Sequence, residues 1–195
     1  MKLIKEIISW VIPILVGLLI ALLVKNYLFQ VVRVDGTSMQ PNLENNERVF
    51  VWKPEKIKRL SVIVFDAHGE DPAATQSTDY VKRVIGLPGD TINYRDGVLY
   101  VNGKEVPQKF ISENQRKQGT GANWSLASIA KKYGWDKGPT EVPADSYFVL
   151  GDHRSVSNDS RYWGFVKKSK IDGTVKAPFW LSKDAQHNIN DLAQN

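Results

Sequence analysis

The amino-acid sequence predicts a mainly β domain carried on one N-terminal transmembrane helix. Two observations predict it. From Ile7 to Val24 the chain runs eighteen residues without a charge. Beyond that run, short segments rich in Val, Ile, Phe and Tyr recur between turn residues, the pattern of strands.

The apolar run IISWVIPILVGLLIALLV would span roughly 27 Å as a helix, close to the ~30 Å hydrocarbon core. Trp10 and Tyr27 stand near its ends, where interfacial aromatics sit. Pro13 and Gly17 are tolerated in lipid-spanning helices. A cleaved signal peptide and a buried core helix are the competing readings. A cleaved peptide has a shorter apolar region ending in a small-x-small site, and LVKNYLFQVVRV offers none. The expected anchor is therefore 7–27, after a short cytoplasmic segment 1–6. Lys2 and Lys5 nearly balance Lys25 and Arg33, so charge favours a cytoplasmic N-terminus only slightly.

After the anchor, Val31–Val34 reads as a strand leading into a turn at Asp35-Gly36. Arg48–Trp52, Ser61–Phe65 and Tyr80–Gly86 read as further strands. The polar stretch His68–Thr78 reads as a loop, and Leu87-Pro88-Gly89-Asp90 as a turn. Val98–Val101 with Asn102-Gly103 reads as one arm of a hairpin. The polar segment 108–143, with a short helix over Ser125–Tyr133, reads as a lid or small insertion. Strand character resumes at Tyr147–Leu150. The extracytoplasmic domain is expected to cover 28–181, and 182–195 to be a frayed polar tail.

Composition excludes several chemistries. The 195 residues contain no cysteine, which removes thiol proteases, sortase-like transpeptidases, disulfide exchange and Cys-based zinc sites. His68, His153 and His187 show no metal-ligand spacing, so neither metal nor cofactor is expected. Net charge is +5, but the basic residues are dispersed. An anionic membrane surface suits that better than nucleic acid does.

Three constellations can carry chemistry. In Gly36-Thr37-Ser38-Met39-Gln40-Pro41-Asn42-Leu43 a serine follows a strand on a glycine turn. A turn exposes a hydroxyl and converges backbone N–H groups, as an oxyanion requires; a polar surface turn is the plain alternative. In Tyr80-Val81-Lys82-Arg83-Val84 a lysine interrupts an apolar strand. Alternation puts Lys82 on one face with Tyr80 and Val84, and Arg83 on the other. An ordinary lysine leaves only about one amine in 2,500 neutral at pH 7, and burial lowering its pKa by roughly three units makes it a usable base. The alternative is a solvent-facing lysine. The third, Gly151-Asp152-His153-Arg154-Ser155-Val156-Ser157-Asn158-Asp159-Ser160-Arg161-Tyr162-Trp163-Gly164, is a dense polar loop after a strand. It is able to orient a base or simply to be solvated.

Together these three boxes, in this order behind the anchor, resemble the bacterial type I signal peptidases, over most of residues 7–177. The resemblance implies a β-rich, extracytoplasmic catalytic domain that removes signal peptides from exported preproteins. It implies Ser38 as nucleophile, Lys82 as general base and Ser157 orienting the lysine amine. Asp159 with Arg161, and Asp152 with Arg83, become ion pairs supporting the site. The Ser38 N–H would serve the oxyanion, and Gly36, Met39 and Pro41 would line the substrate or oxyanion position. Expected partners are signal peptides with small residues at the first and third positions before the cut, the lipid bilayer, and the secretion translocon. Three departures stand out: Gly36 where some relatives place a hydroxyl, Asn42 in place of threonine, and His153 in place of asparagine.

Three rivals remain. A classical triad would use His153 and Asp152, although adjacent residues on an extended loop point apart. A self-cleaving serine–lysine protease of the repressor type would carry a DNA-binding domain. A membrane-tethered binding domain would have an unreactive Ser38.

Overall fold

The computed structural model describes residues 2–136 and 138–193. Helix α1, Lys2–Tyr27, contains the apolar run, and its stretch Ser9–Tyr27 is long and apolar enough to cross a membrane. Strand β1, Phe29–Arg33, follows at once, then β2 Arg48–Trp52, β3 Val62–Asp66 and β4 Asp79–Gly86. Next come β5 Ile92–Arg95, β6 Val98–Val101, β7 Lys104–Glu105, β8 Trp124–Ser125 and α2 Leu126–Tyr133. The chain closes with β9 Ser146–Leu150, α3 Ser160–Trp163, β10 Val166–Lys167, β11 Ile171–Lys176 and α4 Lys183–Asn190.

A seven-stranded antiparallel sheet runs β1-β2-β11-β3-β4-β9-β10, and a four-stranded sheet runs β7-β6-β5-β8. The large sheet is covered on both faces. On β3, Val62 and Val64 join a core with Val49, Val51, Met39 and Leu43. Ile63 and Phe65 join another with Val84, Val149 and Trp163. That is why VIVF reads as an unbroken apolar run rather than an alternating one. The small sheet packs its own core around Tyr94, Leu99, Trp124 and Phe148.

Both hairpins of the small sheet obey turn chemistry. Asn102 and Gly103 lie at φ 51° and 75°, as the NG turn requires, and Asp96-Gly97 makes a second such turn at 50° and 87°. The strand β5 that this second turn joins to β6 was not expected. Neither was β11, although it lies between β2 and β3. Its Asp172-Gly173 reads as a turn, yet the chain there bulges between Ile171 and Gly173. A Cβ on Gly173 would lie 2.7 Å from the Trp52 carbonyl oxygen, so this glycine permits close strand approach.

Segment 108–143, expected as a lid or small insertion, supplies β8 and α2, and buries Phe110, Ile111, Trp124, Leu126, Ile129 and Val142. Helix α2 forms where the reading put it, because Ser125 and Ser128 make a reciprocal capping box and Gly134 ends the helix at φ 73°. The 182–195 segment is not frayed over its described part. Ser182 caps α4, and Ala185 and Ile189 are buried. Two apolar residues one turn apart suffice to dock a helix whose other face is polar.

Candidate active site

The loop between β1 and β2 carries Ser38. Met39 and Leu43 are wholly buried beneath it and anchor the turn. Buried Met39 therefore offers no side-chain surface to a substrate, contrary to its expected place there. Pro41 is exposed, and Gly36 adopts φ 86°, where glycine is favoured. From the other side, the His153 N–H donates to the Ser38 carbonyl at 3.0 Å. Among the described residues nothing accepts from the Ser38 N–H.

Lys82 lies on β4, 4% exposed. Its Nζ donates to Ser38 Oγ at 2.9 Å and to the Val81 carbonyl at 3.1 Å. Burial pushes the amine down to about 8, although Asp159, Asp152 and Asp71 pull it back up. At that value a sizeable fraction is neutral near pH 7, so the group can act as a base.

Arg83, on the opposite face as alternation requires, forms a buried fork with Asp152. Nε and Nη2 reach Oδ1 and Oδ2 at 2.9 and 2.7 Å. Its Nη1 donates to Leu60 and Asn188 carbonyls, and its guanidinium lies 4.2 Å from the Phe110 ring centroid. Asn42 does more than cap a turn. It donates to Asp152 Oδ2 and the Phe110 carbonyl, both at 2.8 Å, and accepts from Asn188. The nucleophile loop is thus bonded to the Arg83–Asp152 pair, to segment 108–143 and to α4.

Asp159 and Arg161 pair at 2.8 and 2.9 Å. Burial alone would raise the Asp159 carboxyl, but Arg161 holds it below its ordinary value. Asp159 also accepts from the Gly151 N–H, and Arg161 donates to the Arg154 carbonyl. Arg154, a residue the sequence reading left unassigned, is 1% exposed and donates to the Gly151 carbonyl. Ser157 is brought beside Gly151, but its buried hydroxyl makes no hydrogen bond, to Lys82 or to any other described group. It lies close enough to Asp159 to help lower that carboxyl. The expected contact between Ser157 and the lysine amine is therefore not made here.

The triad rival finds no geometry. Arg83 and Asn42 occupy the Asp152 carboxylate, and His153 Nδ1 lies 3.2 Å from the Thr37 carbonyl.

Comparison with known proteins agrees with this picture. A family model described as signal peptidase, peptidase S26, matches residues 7–180. A signal peptidase I of Bacillus licheniformis is 37% identical over 177 residues, 88% of this chain and 88% of that protein. A signal peptidase IB of Staphylococcus aureus (strain COL) is 36% identical over 193 residues, 95% of this chain and 96% of that one. The crystal structure of a signal peptidase I from Enterococcus faecalis V583 superposes with TM-score 0.52 at 32% identity, over 62% of this chain and 97% of that one. The protein is a serine endopeptidase. It belongs to the signal peptidase family, peptidase S26.

Proposed function

We propose that this protein removes N-terminal signal peptides from exported preproteins, with Ser38 as nucleophile and Lys82 as general base. One observation carries the reading: a dry amine, lowered to about 8, lies 2.9 Å from the hydroxyl it would deprotonate. Neutral Lys82 takes the Ser38 proton as Oγ attacks the scissile carbonyl. The free Ser38 N–H donates to the developing oxyanion, and Gly36 adds no side-chain donor. The lysine then protonates the leaving amine, and water activated by the same amine hydrolyses the acyl-enzyme. Asp159–Arg161 and Asp152–Arg83 hold the loops on either side, and Ser157, beside Gly151, would turn its hydroxyl to the amine during turnover. No cofactor enters this scheme.

The substrate would lie extended along a strand by main-chain pairing. Strand β1, at an edge of the large sheet, leads straight to Ser38, which suits that mode. Small residues at the first and third positions before the cut fit this reading.

Helix α1 would hold the domain to the membrane, N-terminus in the cytoplasm and catalytic domain outside, where the translocon delivers preproteins. Phe179 and Trp180, 83% and 53% exposed, favour a domain lying against lipid. With Phe29 and Trp52 they present aromatic surface beside the end of α1.

The test is cleavage of a synthetic Ala-x-Ala signal peptide in detergent. Wild type cleaves at the expected bond and Ser38→Ala does not. Cleavage retained by Lys82→Ala would remove the proposed base.

A further inference from the structure

The segment between β3 and β4, expected to be a plain polar loop, contains a buried carboxylate. Asp71 is 3% exposed. Its Oδ2 accepts from the Tyr80 hydroxyl at 2.9 Å and from Asn158 Nδ2 at 2.6 Å, and its Oδ1 from the Ala73 N–H at 2.9 Å. Among the described residues it forms no ion pair. A buried charge without a counter-ion is costly and calls for a compensating role.

Both side-chain partners adjoin the dyad. Tyr80 precedes Lys82 by two residues on the same strand face, and its ring centroid lies 5.1 Å from Lys82 Nζ. Asn158 follows Ser157. The loop is itself rigidly tied. Asp66 Oδ1 accepts from the His68 and Thr78 N–H groups, the Asp71 N–H donates to the Ala67 carbonyl, and Ala74 enters the core.

We propose that Asp71 is a positioning residue for the base: through Tyr80 and Asn158 it holds the wall on which the Lys82 amine rests, and its charge acts on that amine. The proposal rests on the dyad reading above.

The groups around Lys82 make Asp71 distinctive. Its own strand offers Tyr80, whose hydroxyl burial and Asp71 keep protonated above the ordinary range. Across the sheet, β3 offers Ile63, which does not titrate. The 151–163 segment offers Asp152 and Asp159, with Arg154 beside them. Arg83 and Arg161 largely neutralise those two carboxylates. Asp71 reaches the amine without a cation of its own, and is one of three carboxylates that oppose the burial of Lys82.

Asp71→Asn keeps the shape and removes the charge, its one oxygen still accepting from Tyr80 and Asn158 while the Ala73 N–H loses its acceptor. Loss of a negative neighbour lowers the lysine's pKa, so the acid limb of kcat/KM shifts to lower pH, by ~0.5 unit or more, with KM unchanged. Lysine-selective carbon-13 NMR of Lys82 reports the same shift without turnover. If wild type cleaved no signal peptide, the proposed function would fail while this titration still decided the role of Asp71. Should Asp71→Asn not fold, Tyr80→Phe keeps the ring and frees it from Asp71. It lowers kcat severalfold at unchanged KM. A Lys82 titration and pH profile unmoved in Asp71→Asn, or an undiminished kcat in Tyr80→Phe, overturns the proposal.

Discussion

Gly151 approaches Ser38 so closely that a Cβ on it would lie 2.5 Å from the serine's carbonyl oxygen and 2.2 Å from Ser157 Oγ. Its φ is not in the left-handed region, so space, not backbone conformation, dictates glycine. Gly151→Ala must push the nucleophile turn away from the lysine. A displacement near 1 Å costs about a hundredfold in rate. Peptide cleavage should fall by that order while circular dichroism stays native; full activity would show that the turn yields without consequence.

Asp152→Ala leaves a wholly buried guanidinium without its carboxylate. Such a loss costs about 3–5 kcal/mol, read as a lower denaturant midpoint in detergent.

Asn42→Thr, the residue that the family resemblance anticipates, replaces two donors and an acceptor by one hydroxyl. The Phe110 carbonyl, Asp152 and Asn188 cannot all keep their partner. A loss of about 1–3 kcal/mol follows, and amide exchange of α4 should quicken with it.

Lys82 sets a pH dependence of stability. Its folded pKa of about 8 lies below the ordinary 10.5. Between those values the unfolded chain binds a proton that the folded chain has released. Stability therefore rises with pH through that window, and below it burial of the charged amine costs about 3 kcal/mol. Lys82→Met should be the more stable form at pH 7, with the gap closing toward pH 10. A gap independent of pH would mean that the amine titrates normally.

His153→Ala removes only a 3.2 Å contact to the Thr37 carbonyl and leaves the backbone bond to Ser38. Cleavage within a few-fold of wild type is expected. An inactive, folded variant would revive the triad.

The sequence carried the strands whose residues speak for themselves. Arg48–Trp52 and Tyr80–Gly86 are apolar and β-branched between turn signals, and α2 announces itself by Ser125 and Gly134. It concealed β11, because Asp172-Gly173 reads as a turn and only a neighbouring strand reveals it as a bulge. Helix α4 was hidden too, since Ala185 and Ile189 make too thin an apolar face to distinguish from a solvated tail. In the site, Lys82 could be read because it interrupts an apolar strand, whereas Ser38 and the Asp152–Arg83 pair were legible only through the resemblance of the three boxes taken together. Asp71 could not, since a carboxylate beside Pro72 in a polar loop gives no sign that it will be buried. Nor could Ser157's lack of a bond to the lysine, which depends on angstrom-scale placement.

The docking of α4 has a consequence for cooperativity. The Asn188 carbonyl accepts from Arg83, and the Asn188 amide donates to Asn42, so α4 completes the floor beneath the nucleophile. Opening this helix takes an acceptor from Arg83 and a donor from Asn42 at once. Local unfolding of α4 and loosening of the nucleophile loop are therefore one event rather than two.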